Sequence, residues 1–160
     1  TFRDLARRID RHVDVLGMLE AVLPHETTHV VLAGNFGSHQ VPRWADEGVA
    51  VLTEPPEKVE QHRKNLLRAA KEGQLMPVRD LMNLANYPQA SQISIFYAES
   101  VMLVDHLTQQ RGPQVFTTFL KDGLASGYEA ALRKHYNCSF AELQTSFDQQ
   151  VLGQSVAARK

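Results

Sequence analysis

An all-α fold is what this sequence predicts, and three observations carry the prediction. No segment sustains two-residue alternation with β-branched enrichment. Apolar residues recur at spacings of three and four instead, as in Phe2, Leu5, Ile9 and Val13 or Phe140, Leu143, Phe147 and Val151. The gaps between such stripes hold Pro and Gly, at Pro55-Pro56, Gly73, Pro77, Gly112-Pro113 and Gly127. The expectation is a compact multi-helix bundle with few or no strands, a single domain over 1–152 followed by a frayed tail over 153–160.

Each element has its local reason. Thr1 and Asp4 form a capping box for a first helix over 2–13. Asp14 caps a second, running through Leu16, Leu19, Val22 and Leu23 to a stop at Gly34. Pro24 lies inside that stripe, where it loses one hydrogen bond and clashes with the carbonyl four back, so a kink near Glu20 or a fresh start at Pro24 is predicted. Beyond a Gly/Asn/Ser loop, Pro42 serves as first residue of a helix to about Thr53. Residues 57–72 are amphipathic, and Pro77 opens a short helix that Asn86-Tyr87-Pro88 closes. Residues 91–110 form the most apolar helix and belong at the centre, with Tyr97, Ser100, Val101 and Val104 on one side. Shorter helices follow over 115–124 and 128–136, and a last one starts at a Ser139/Glu142 capping box.

Composition narrows the function. The chain has 160 residues, a net charge of −1 with both signs interspersed and 43% hydrophobic content, which offers no electrostatic footprint for nucleic acid or an anionic membrane. No apolar run approaches the ~20 residues of a membrane span. The single cysteine, Cys138, excludes an intramolecular disulfide and leaves the compartment open. A start at Thr1 suits a domain excised from a longer chain, with any export signal outside it.

The chemistry gathers in His25-Glu26-Thr27-Thr28-His29 and in Pro42-Arg43-Trp44-Ala45-Asp46-Glu47-Gly48-Val49-Ala50. Histidines four apart on a helix lie about 40° apart around the axis and about 6 Å apart along it, so both imidazoles reach one ion. A catalytic zinc takes three protein ligands and keeps a position for water. The third ligand must come from another element, and an antiparallel helix brings Glu47 to the histidines. Glu26 is placed as a base for the water.

These segments resemble the gluzincins, zinc peptidases with H-E-x-x-H and a downstream glutamate. The likeness is to peptidase-MA-like domains in which H-E-x-T-H is followed by P-x-W-x-x-E-G-x-A, matched here by His25, Glu26, Thr28, His29, Pro42, Trp44, Glu47, Gly48 and Ala50. The resemblance implies one zinc ion on His25, His29 and Glu47, with Glu26 as general base. More loosely, it implies that Tyr97 hydrogen-bonds the tetrahedral intermediate. The implied activity is hydrolysis of a peptide or protein substrate. Gluzincins commonly hold the peptide against a β-sheet edge in an N-terminal lobe, for which this chain has no room before His25. Upstream sequence would supply it, or the substrate is unusual, or the domain is a non-catalytic zincin-like binding or structural module. The Gly-x-Met-x-Asn segment of the aminopeptidases is absent.

Two further residues are candidates. Glu54, seven after Glu47, can orient a ligand histidine as an outer carboxylate. His39, on the loop, can contact substrate. Trp44 reads as a core anchor, Cys138 as a structural thiol, and His12, His62, His106 and His135 as surface or core residues.

Overall fold

Proline and glycine set the boundaries of the observed helices, with informative shifts. The computed structural model describes residues 19–157 other than 21 and 38, and every regular element among them is helical. The predicted helix over 2–13 and its cap lie outside the described residues. Residues 22–36 form α1, which continues through Pro24 without a fresh start. It also passes Gly34, because a glycine inside a helix costs only about 1 kcal/mol relative to alanine, and buried Phe36 fastens the last turn to the core. The left-handed cap falls at Gly37, with φ of 59°.

α2 spans Arg43–Leu52. Pro42 stands just outside it rather than as its first residue, and its carbonyl accepts from the amides of Ala45 and Asp46, both at 2.9 Å. α3 (Pro56–Lys71) and α4 (Val78–Met82) begin at or just after their prolines. A 3-10 turn over Ala90–Gln92 leads into α5 (Ile93–Ser126), which breaks at Gly112, φ 82° and ψ 166°, just ahead of Pro113. α6 (Tyr128–Tyr136) ends on Asn137 in the left-handed region, and α7 is Phe140–Ala157. The Ser139/Glu142 capping box forms, with the Ser139 amide donating to Glu142 Oε2 at 2.7 Å and the Glu142 amide to Ser139 Oγ at 3.3 Å. The tail expected to fray at Gly153 is helical to Ala157. Phe140, Leu143, Phe147 and Val151 are all buried, so α7 is anchored by packing and propagates past one glycine.

α5 is the axis of the core. Trp44 is fully buried and meets Phe116 and Tyr128 edge-on, with ring centroids 6.0 and 6.1 Å away. α2 lies so close to α5 that a Cβ on Gly48 would stand 2.5 Å from Val104 Cγ2 and 2.6 Å from the Ser100 carbonyl oxygen. Gly48 therefore has a packing reason that its sequence neighbours do not show. The side of α5 holding Ser100 and Val104 faces α2, the helix that carries Glu47.

One buried carboxyl sits apart. Glu99 is 1% exposed, its Oε1 accepts the Met76 amide at 2.8 Å, and its Oε2 has no partner. Burial pushes its pKa up to about 8, the Met76 hydrogen bond opposing. Among the described residues no helix is long and apolar enough to cross a membrane.

Candidate metal centre

α1 and α2 run antiparallel, and a threonine pair meets between them near His25. Thr28 Oγ1 donates to the Pro24 carbonyl at 2.8 Å and lies 3.3 Å from Thr53 Oγ1, which donates to the Ala50 carbonyl at 2.7 Å. That register sets His25 and His29 opposite Glu47. His25 Nε2 is 3.7 Å and His29 Nε2 3.8 Å from Glu47 Oε2, and the three ligand atoms all lie within 4.8 Å of one another. Ligand atoms around a tetrahedral zinc with bonds of about 2.0–2.1 Å are about 3.3–3.4 Å apart. The observed separations are wider than that, and the group could hold a metal ion.

The far side of each imidazole is engaged. His25 Nδ1 is 2.7 Å from Glu54 Oε1, and His29 Nδ1 is 2.8 Å from Asp46 Oδ1. A carboxylate accepts and does not donate, so each Nδ1 carries the hydrogen and each neutral ring keeps its Nε2 lone pair for the centre. Burial opposes a charge on His29. The Asp46 hydrogen bond and the charges of Asp46, Glu47 and Glu26 outweigh it, setting the His29 pKa above its ordinary value.

Glu47 is 4% exposed, and its second oxygen, Oε1, accepts the Tyr87 hydroxyl. The Arg43 guanidinium lies 5.1 Å from the centre of the Tyr87 ring, and Phe96 packs edge-on to that ring at 5.8 Å. Tyr97 on α5 is half-buried beside them. Burial and the Glu47 charge raise its pKa, and the Tyr87 hydroxyl bears on it too. Burial, the Glu47 hydrogen bond and the Glu47 charge raise that of Tyr87. Both phenols are therefore protonated donors at neutral pH.

The structure thus brings His25, His29, Glu47, Glu54 and Tyr97 together. Glu26 is exposed on α1 between the histidines, near enough for its charge to act on His29. His39 is not part of the group. It is exposed and lines a groove with Gly34, Phe36, Lys121 and Leu124, beyond the C-terminal end of α1. The chain direction after His29 carries the loop past the ligands rather than back over them.

Sequence reasoning passed over three neighbours. Asp46 adjoins Glu47, but helical spacing puts it on another face; the hint was its carboxylate, the type of group that singled out Glu54. Tyr87 lies in an irregular stretch and carried no local signal. His62, read as an isolated residue, packs its ring 6.3 Å from that of Tyr97, and burial holds its pKa below the ordinary value. Elsewhere, His106 is a buried histidine with Nε2 2.9 Å from Ser146 Oγ, and burial pushes the Cys138 thiol up, as suits a structural residue.

Comparison with protein-family models, with curated proteins and with solved structures finds no match for this chain.

Proposed function

We propose that this chain is a zinc-dependent peptidase domain of the gluzincin kind, hydrolysing peptide bonds. One observation supports the reading above others: two imidazole nitrogens converge on one buried carboxylate oxygen, while a carboxylate holds each imidazole from behind. Ligating histidines usually donate their other N–H to such a partner.

His25, His29 and Glu47 would hold the ion. Zinc bound there would supply a Lewis acid for the scissile carbonyl and lower the pKa of its water to about 7. Glu26, next to His25 on α1 and close enough for its charge to act on His29, takes the proton from the attacking water and delivers it to the departing amine. Tyr97, neutral and beside Glu47, donates a hydrogen bond to the developing oxyanion. Asp46 and Glu54 keep both rings in one tautomer throughout.

Metal analysis of the purified chain together with Glu26→Gln tests this. One zinc per chain is expected in both forms, with hydrolysis of a peptide library falling roughly 10²–10⁴-fold in the variant. Zinc at one per chain with no cleavage by the unmodified protein would favour the alternative, a zincin-like binding or structural module of a larger protein. A chain that takes up no zinc would end both readings.

A further inference from the structure

The two oxygens of Glu47 have different neighbours, and the difference bears on how the carboxylate would ligate. Oε2 faces both histidines, at 3.7 and 3.8 Å from their Nε2 atoms. Oε1 faces away from them and accepts the Tyr87 hydroxyl. We propose that Tyr87 is a positioning residue of the metal centre: by occupying Oε1 it leaves Glu47 a single oxygen for the ion, and so holds the centre at three protein donor atoms, with one water completing four-coordination. This rests on the zinc-peptidase reading above and adds to it the group that holds the centre at three protein ligands.

The physical case starts from what a carboxylate does unaided. Both its oxygens are ligands, and a divalent ion is bound through one or through both. A zinc site with two histidines, a glutamate and one water is four-coordinate when the glutamate uses one oxygen and five-coordinate when it uses both. A phenol hydrogen bond to an ionised carboxylate oxygen is charge-assisted and competes with a second metal bond for that oxygen's electron density. A phenol keeps its hydrogen across the neutral range, so Tyr87 is a donor there.

The seat of Tyr87 fits that role better than a packing role. The residue is 42% exposed, so filling the core does not account for it. Arg43 lies over the ring, and Phe96 meets it edge-on. Arg43 is one turn before Glu47 on α2, so the helix that presents the carboxylate also presents the group that seats its hydrogen-bond donor. Pro88 follows directly and biases Tyr87 toward extended backbone, which narrows the directions the side chain can take.

Cobalt(II) reports the arrangement without reference to activity, because its visible d–d absorption is intense in four-coordinate sites and weaker in five-coordinate ones. The chain and its Tyr87→Phe variant would each be loaded with Co²⁺ and their spectra recorded per bound ion. Circular dichroism would establish that the helices are retained. The expected result is an intense four-coordinate spectrum for the unmodified chain. In the variant one ion per chain is kept, with band intensity lower by roughly twofold or more as Glu47 turns bidentate. Equal spectra would overturn the inference, even if the variant melts earlier, since that pattern belongs to a tyrosine that merely tethers its loop. A weak five-coordinate spectrum in the unmodified chain would also overturn it, while the metal site stands. Failure of the unmodified chain to take up Co²⁺ would overturn the metal reading and this inference with it.

Discussion

Two buried carboxyls, Glu47 and Glu99, show how differently one side chain is treated at two places in this molecule. They are 4% and 1% exposed. Around Glu47 stand two imidazoles and a phenol, reaching it from α1 and from the loop after α4. Around Glu99 there is one backbone amide, and one carboxyl oxygen is without a partner. Burying an ionised carboxylate without partners is costly, so Glu99 keeps its proton and its pKa rises to about 8. Burial alone therefore marks neither residue as functional. What separates them is convergence: two imidazoles from α1 and a phenol from a distant loop gather on Glu47, while a single backbone amide reaches Glu99.

The comparison is tested most severely by exchanging each carboxyl for its amide. Glu47→Gln is expected to abolish retention of zinc through dialysis, whereas Glu99→Gln retains one ion per chain, as metal analysis will read. A chelator should then lower the melting temperature of the unmodified protein and of Glu99→Gln, but leave that of Glu47→Gln unmoved, because only a bound ion stabilises the native state. Zinc retained by Glu47→Gln would erase the distinction between the two sites.

The next effect sharpens the Glu99 side. The folded state holds a proton up to about pH 8 on a group whose ordinary pKa is 4.5. The stability tied to that proton is fully present below pH 4.5 and is lost as pH rises toward 8, by about 1.4 kcal/mol per pH unit. Urea unfolding at several pH values is expected to show this downward slope in the unmodified protein and its removal in Glu99→Gln. Parallel curves would mean that Glu99 ionises as readily folded as unfolded.

The smallest effect concerns the carboxylates behind the histidines. Asp46→Asn and Glu54→Gln should each weaken zinc binding by about 10–100-fold, measured by competition with a chromophoric chelator. The ion should remain bound at saturation, since neither residue reaches it. Unchanged affinity in both would remove the reason for regarding Asp46 and Glu54 as orienting groups.

Much of the architecture was legible in the chain. The capping box at Ser139/Glu142, the break at Gly112-Pro113 and the burial of Trp44 all follow from local chemistry or from periodic spacing. Boundaries were misjudged where packing overrides a weak local preference. α1 continues past Gly34 with Phe36 buried, and α7 continues past Gly153 with Val151 buried. A side chain at Gly48 would collide with Val104 and Ser100, residues more than fifty positions away. The contrast with Gly34, where nothing lies within 4 Å of an added Cβ, could not be read from either glycine's neighbours.

The site divides along the same line. His25 and His29 are neighbours because the pitch of one helix makes them so, and Glu47 follows from a short reversal between two antiparallel helices; both relations are local enough to be written in spacing. Which carboxylate stands behind which imidazole, the arrival of Tyr87 on the far oxygen of Glu47 and the near isolation of Glu99 were decided only on packing. These contacts depend on the rotation of α2 about its axis and on the path of a loop after α4. Such quantities are set by how whole surfaces fit together, and no window of neighbouring residues contains them.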